Sequence, residues 1–395
     1  MVIHGFKFAK IPTIIFGTGK FNELAGLIKS KGKRVFIVRG KSSLESSGKW
    51  DILIKSLKDE ALDYSDFIVT GEPSPEMIDN AVAESRGAGI DVVAAIGGGS
   101  VVDAGKAISA MLPHDDSVVD YLEGVGTKKH DGRKIAFIAV PTTSGTGSEA
   151  TKNAVLSKVG EFGFKKSLRH DNFVPDVTLI DPELMLSCPA RITAACAMDA
   201  FCQLLESYVS TNSSPMTDAL ALSGLEYTKD NLIRAATEGA GDVNVRAAMA
   251  YASLLSGITL ANAGLGVVHG LASPIGGFFN IPHGVVCGTL VGAATRITIE
   301  KLKKLNDFPS LKKYAHVGAL LTDCNKDDEN RCIDLLIEKI EEWIEKLGIV
   351  CLSYYGISEV HLDKIVQEAE SKQNPVELTK SEMKNILLMR LYKMF

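Results

Sequence analysis

Residues 197–208, AMDAFCQLLESY, place Asp199 and Gln203 at i and i+4. A helix turns both side chains to one face, so a carboxylate and an amide oxygen can converge on one ion. Further on, VVHGLASPIGGFFNIPHG (267–284) carries His269 and His283, fourteen residues apart. Two imidazoles, a carboxylate and an amide oxygen make a borderline-hard ligand set for Fe²⁺ or Zn²⁺ with a coordination position to spare. On spacing alone, the plainer reading of each histidine as a satisfied core residue stays open.

Two further segments suit a phosphorylated ligand. In AIGGGSVVDAGK (95–106), Gly97, Gly98 and Gly99 follow an apolar run and open a helical one. Backbone N–H groups at such a helix start approach an anion without interference from Cβ, and the helix dipole favours negative charge. The alternative is a tight strand-to-helix turn. The spacing is not the usual GxGxxG dinucleotide fingerprint, and it falls after the fourth strand candidate instead of the first. The earlier GTGK (17–20) lacks the third glycine of that fingerprint, the chain running on through Asn22 and Glu23, and reads as a turn. The second segment, PTTSGTGSEAT (141–151), holds six hydroxyl side chains and two glycines directly after another apolar run. It suits hydrogen bonding to phosphate, ribose or a nicotinamide amide, against the plainer reading of a solvated loop.

These segments need a scaffold. After an edge segment at 13–16 come short apolar runs at 34–38, 66–69, 91–96 and 135–140. Strands that are apolar on both faces belong to a parallel sheet covered by helices, and helical spacing at 20–31, 75–87 and 101–111 supplies the cover. The pattern predicts a doubly wound α/β domain that binds ligands at the carboxyl ends of its strands. From about Asp181 the strand signals cease, and 189–395 reads as an all-α second domain, including the charge-laced IDLLIEKIEEWIEKLG (333–348). The boundary is expected within VTLIDPELM (177–185), which gives a dinucleotide-binding domain over 1–183 and a helical domain over 184–395.

Bulk properties narrow the function class. A chain of 395 residues exceeds one comfortable core, and 46% AVILMFWYC with 23% charged residues is the balance of an ordered globular chain. A net charge of -5 without a run of either sign gives no reason to expect a nucleic-acid or membrane partner. Seven cysteines, odd in number, without a CxxC pair and absent from the first 187 residues, point to a reducing cytoplasm instead of a disulfide framework. The N-terminal MVIHGFKFAKIPTIIFG lacks the pattern of a signal peptide. The uncharged run 247–268 is long enough to span a bilayer, yet it contains Ser253, Ser256, Thr259 and Asn262 and leads into His269. It is expected to be a buried helix of a soluble core that His269 ends.

Taken in order, IPTIIFGTG (11–19), GEPSP (71–75), AIGGGSVVDAGK, AVPTTSGTGSEAT (139–151), DPELM (181–185), AMDAFCQLLESY, VVHGLASPIGGFFNIPHG and NPVELT (374–379) resemble the iron-containing, or group III, alcohol dehydrogenase family over nearly the whole chain. The resemblance implies a Rossmann-like, dehydroquinate-synthase-like N-terminal domain, a helical C-terminal domain, a cleft between them, and a homodimer. The implied activity is NAD(P)-dependent interconversion of a small alcohol and its aldehyde. The resemblance further implies that Gly97, Gly98, Gly99 and Ser100 hold the cofactor pyrophosphate and that Asp103 lies near the nicotinamide ribose. Thr142, Thr143, Ser144 and Thr151 form a second cofactor loop, and Leu179 is a further cofactor contact, on the same ground. The family's metal ligands are an Asp and three His. Asp199, His269 and His283 match three of these and are the expected catalytic centre, but Gln203 stands where the family usually has His, and Ser273 stands where a further His is often found. A neutral amide oxygen is a weaker ligand than imidazole, so affinity for Fe²⁺ or Zn²⁺ should fall. Ser273 removes one candidate proton relay, although serine with water can substitute.

Cofactor preference is read at the end of the second strand, VFIVRGKSS (35–43). Relatives that prefer NAD commonly place an Asp there, whose carboxylate binds the ribose hydroxyls and repels a 2′-phosphate. Here the place holds Gly40, followed by Lys41 and Ser42 and preceded by Arg39, which favours NADP(H) over NAD(H). The leading expectation is an NADP(H)-dependent, metal-assisted reductase of a small aldehyde or ketone. One alternative is a maleylacetate-type or oxoacid-alcohol oxidoreductase of the same family, with Lys165, Lys166 and Arg169 as cations for an anionic substrate. Another, kept open by Gln203, is a catalytically idle nucleotide-binding relative. Phe162, Phe164, Phe278 and Phe279 are candidate pocket walls.

Overall fold

The computed structural model describes residues 5–392. The first four residues of the N-terminal segment and the last three of the expected second domain lie outside them. Among the described residues eight strands are formed: Thr13–Phe16 (β1), Arg34–Gly40 (β2), Asp63–Val69 (β3), Val92–Gly97 (β4), Ala136–Pro141 (β5), Asn153–Lys158 (β6), Phe164–Arg169 (β7) and Val177–Ile180 (β8). Six of them make a parallel sheet in the order β1-β8-β5-β4-β2-β3. Val35 to Val38, Val92 to Ile96 and Phe137 to Val140 are buried without interruption, as a parallel sheet covered by helices on both faces requires. From β2 the chain moves outward to β3 and then returns to lay β4 on the other side of β2. The connections therefore diverge between β2 and β4, and this switch point opens a crevice at the carboxyl ends of the two strands, where Gly40 and Gly97 lie.

Two elements depart from the expectation. β3 begins at Asp63, before the apolar run; Asp63, Tyr64 and Ser65 are exposed at the sheet edge, where polar side chains meet water. β6 and β7 form an antiparallel hairpin outside the sheet, hidden in the sequence because Lys165, Lys166 and Arg169 crowd β7 and only Ala154, Leu156 and Leu168 of the pair are buried apolar anchors. The hairpin reaches the second half of the chain, where Gly160 donates its N–H to the Gly277 carbonyl at 3.2 Å.

The second half is helical from Ala190 onward. Its long helices include Ala190–Val209, Pro215–Ala236, Val243–Ala263, Val267–Phe278, His283–Leu305 and Glu329–Lys346. They share one apolar cluster, in which Phe201 and Trp343 meet edge to face with centroids 5.0 Å apart. Among the described residues no single helix is long and apolar enough to cross a membrane. The uncharged run at 247–268 is not one helix. Gly264, at φ 76°, ends Val243–Ala263, and the chain bends by 99° into Val267–Phe278. His269 consequently sits in the first turn of a new helix rather than closing the old one.

Candidate active site

The Gly99–Met111 helix starts directly after β4, with Gly98 at its N-cap. The N–H groups of Gly99 and Ser100 have no acceptor one turn back and are the free donors of this helix start. The three glycines answer to different demands. A Cβ at Gly97 would come within 2.6 Å of the Val101 side chain, and one at Gly99 within 2.5 Å of Thr146. Close packing of the protein on itself therefore accounts for both. Gly98, with nothing nearer than Thr143 at 3.4 Å, is the position whose missing Cβ leaves room for a ligand.

The 141–151 loop is a wedge between the two halves. Thr142 donates its N–H to the Gly97 carbonyl at 2.9 Å, which joins the loop to the end of β4. Gly145 lies against Cys196 of the Ala190–Val209 helix, and Gly147, at φ 62°, lies against Gly257 of the Val243–Ala263 helix. Lys106 locks the wedge from below. Its enclosed ammonium donates to the Ser148 carbonyl (2.8 Å), the Asn153 carbonyl (2.8 Å) and the Thr151 hydroxyl (2.9 Å). Burial lowers this ammonium to about 8 although Asp103 and Glu149 lie near it. Burial also raises the Glu149 carboxyl to about 7 and pushes that of Asp103 up. Asp103 Oδ2 accepts from the Val155 N–H at 3.1 Å, while its buried Oδ1 has no hydrogen-bond partner. Of the other expected cofactor residues, Thr151 is engaged by Lys106, and the Ser144 hydroxyl donates to Met185 Sδ at 2.9 Å. Leu179 is fully enclosed in the apolar cluster beneath the sheet. The only advance signal for Lys106 was a lysine three residues after Asp103 in an otherwise apolar helix.

Across the wedge, the Asp199, His269 and His283 side chains converge. His269 Nε2 is 3.4 Å and His283 Nε2 3.8 Å from Asp199 Oδ1, a buried carboxylate oxygen with no hydrogen bond. Cys287, one turn after His283 on its helix and unforeseen in the sequence, joins them: Sγ is 3.5 Å from His269 Nε2 and 3.6 Å from His283 Nε2. One donor atom from each of these four residues lies within 4.8 Å of the others. Glu206, two turns after Asp199, orients the group. Its Oε2 is 2.7 Å from His269 Nδ1, and its Oε1 accepts the Val268 N–H at 2.7 Å, which aims Nε2 at the cluster. Burial disfavours the His269 cation, yet the Cys287 sulfur and Asp199 hold its value well above the usual one. Burial lowers His283 to about 4 despite Asp199 beside it, and burial lifts the Cys287 thiol to about 12.

The hairpin supplies the other wall. Lys165 pairs with Glu72 at 3.1 Å. Burial alone would raise the Glu72 carboxyl, but Lys165 holds it below the usual range, and His283 and Ser100 lie close enough to contribute. The GEPSP segment thus stands between the helix start and the cluster. Arg169 pairs with Glu123 at 3.1 Å, and Lys166 is exposed. Phe162 is 91% exposed, Phe164 packs on the core of the first half, Phe278 lies under the Lys364 ammonium, and Phe279 meets His361 edge to face. At the other end of the crevice, Arg39 is drawn away by Asp66 (2.7 Å), Glu45 (3.0 Å) and the Trp50 ring (4.3 Å). Lys41 and Ser42 are exposed beside Gly40, at which a Cβ would meet only ordinary contacts, the nearest at 3.7 Å.

Residues 12–182 match the sequence profile of iron-containing alcohol dehydrogenase, and residues 193–391 match that of the C-terminal domain of the Fe-containing alcohol dehydrogenase family. The chain belongs to the iron-containing alcohol dehydrogenase family. It is 31% identical over 392 residues to an NADPH-dependent butanol dehydrogenase of Clostridium saccharobutylicum, covering 96% of each chain. It is 32% identical over 392 residues to a long-chain-alcohol dehydrogenase of Geobacillus thermodenitrificans, covering 95% of this chain and 94% of that one. The structure of an alcohol dehydrogenase from Oenococcus oeni superposes with a TM-score of 0.86 at 27% identity, covering 98% of this chain and 100% of that one. In this alcohol dehydrogenase both departures from the family pattern lie at the cluster. Gln203 Oε1 accepts from the Ser256 hydroxyl at 2.6 Å, and the Ser273 hydroxyl donates to the His269 carbonyl at 3.3 Å.

Proposed function

We propose that this alcohol dehydrogenase reduces small neutral aldehydes or ketones, and oxidises the matching alcohols, with NADP(H) preferred over NAD(H) and a divalent cation, Fe²⁺ or Zn²⁺, held by Asp199, His269 and His283. The observation that carries the reading is the buried Asp199 Oδ1, which lacks a hydrogen bond while two imidazole nitrogens and a thiol face it. An orphaned buried carboxylate oxygen costs stability unless something occupies the site, and this donor set fits a borderline divalent ion. When bound, the ion polarises the substrate oxygen as a Lewis acid and the nicotinamide exchanges hydride with the carbinol carbon.

The chain's own residues do the rest. The Gly99 and Ser100 N–H groups and the room at Gly98 receive the pyrophosphate, and the Lys106-locked loop sets the nicotinamide against the cluster. Glu206 fixes the His269 ring, and the enclosure of Asp199, His269 and Cys287 keeps water from the reacting centre. Ser273, partly exposed and one turn after His269, passes a proton from solvent to the nascent alkoxide. Gly40 leaves a 2′-phosphate unopposed, with Lys41 and Ser42 as its partners, and the NADPH-dependent relative supports that preference. A neutral substrate is favoured because Glu72 and Glu123 already pair with Lys165 and Arg169.

Rates with NADPH and NADH across a panel of neutral and carboxylated aldehydes test the reading. Fast turnover of neutral aldehydes with NADPH is expected; faster turnover of carboxylated ones would favour the oxoacid branch, and binding of NADPH without turnover would favour the idle relative. The proposal includes a homodimer in the cytoplasm, without nucleic-acid or membrane partners, for which light scattering at twice the chain mass is the check.

A further inference from the structure

We propose that Cys287 is the fourth protein ligand of the bound cation, in the place that Gln203 does not fill, and that it makes the site select Zn²⁺ over Fe²⁺. The inference rests on the reading of the Asp199, His269 and His283 cluster as a metal site and adds a ligand that changes its chemistry. Cys287 lies at i+4 from His283 on one helix, so both side chains share a face. Four of the six donor-to-donor separations match the edges of a coordination tetrahedron, and the other two lie within 4.8 Å. With Zn–N of ~2.0–2.1 Å and Zn–S of ~2.3 Å, tetrahedral edges are about 3.4 Å between nitrogen or oxygen donors and about 3.6 Å between sulfur and nitrogen. The observed separations are 3.4 Å and 3.8 Å from Asp199 Oδ1 to the two imidazole nitrogens, and 3.5 Å and 3.6 Å from Cys287 Sγ to the same nitrogens.

Gln203, in contrast, turns its oxygen to the Ser256 hydroxyl. Coordination converts the Cys287 thiol to thiolate: the S–H bond breaks, the proton leaves to solvent and its electron pair binds the cation, with no change of oxidation state. A thiolate is softer than the imidazole it replaces, which shifts preference from Fe²⁺ toward Zn²⁺. A four-ligand zinc site still admits a substrate oxygen as a fifth donor.

Cobalt substitution tests this apart from turnover. Purified apo-protein titrated with Co²⁺ should show visible d–d bands, which report binding at the cluster, together with a near-ultraviolet thiolate-to-cobalt charge-transfer band. In C287S the charge-transfer band should vanish while weaker d–d bands remain, and Zn²⁺ affinity should fall by more than the ~10–100-fold that loss of an outer-sphere partner costs. In C202S, which removes the other thiol near His269, and in Q203A, the band should persist. The wild-type spectrum read beside that of C202S decides even if C287S does not fold. Visible bands without charge transfer would overturn the thiolate ligand and leave the metal site standing. A band lost in C202S, or cobalt affinity lost in Q203A but kept in C287S, would assign the position to another residue, and absence of all cobalt bands would overturn both readings.

Discussion

On the proposed function, single side chains decide ligand choice at both ends of the cleft. At Gly40 the proposed NADPH preference rests on an uncharged strand end, so Gly40→Asp, for which there is space, should place a carboxylate against the 2′-phosphate. The KM for NADPH is expected to rise by at least ~10-fold with little change for NADH, read from paired kinetics. At the other end, Glu206→Gln keeps the shape but removes the charge that orients His269. Metal affinity should fall ~10–100-fold in chelator competition while the KM for NADPH stays put. Asp199, His269 and His283 were legible in the sequence through the motifs that carry them and their resemblance to a known family, since spacing alone left each histidine readable as core. Cys287 and Glu206 were not, because a cysteine in an apolar helix reads as core, and a glutamate one turn past Gln203 reads as a polar face until the second helix is seen against it. Arg39 misled in the opposite sense: its sequence neighbours suggest a phosphate cation, but Asp66 reaches it from the adjacent strand.

At the level of elements, the 141–151 loop is held in place by charge buried beneath it. Lys106→Met removes a shared donor from the Ser148 and Asn153 carbonyls and the Thr151 hydroxyl, leaving only the longer Thr151 bonds at 3.3 Å, and should cost on the order of 2 kcal/mol in urea unfolding together with a higher KM for NADPH. Glu149 sets a pH dependence. Its carboxyl rises from 4.5 to about 7 on folding, so between those values the folded chain keeps a proton that the unfolded chain has released. Its contribution to stability is therefore lost as pH climbs through that window. Glu149→Gln should unfold like the parent at pH 4.5 and exceed it at pH 8 by on the order of 3 kcal/mol, measured by urea denaturation at both values. The parallel strands were legible from apolar runs alone. The β6–β7 hairpin was not, since its polar face hides the alternation, and the break at Gly264 was not, since a glycine within an uncharged run does not announce a bend of 99°.

Over the whole molecule, function depends on two halves meeting. In the proposed function the sheet presents phosphate donors at a switch point, the helices present metal donors, and the wedge loop and hairpin join them. Much of this was visible in the order of the motifs, but their convergence rests on contacts between residues far apart in the chain, such as Gly147 against Gly257 and Gly160 against Gly277. The most direct test of metal-assisted aldehyde reduction is the metal content of protein purified without chelator, paired with aldehyde-dependent NADPH oxidation before chelation, after it, and after Zn²⁺ or Fe²⁺ is restored. The predicted result is one ion per chain, with turnover lost on chelation and regained with metal. Turnover that survives complete removal of the ion, or a fully loaded protein that binds NADPH and reduces no aldehyde, would contradict it.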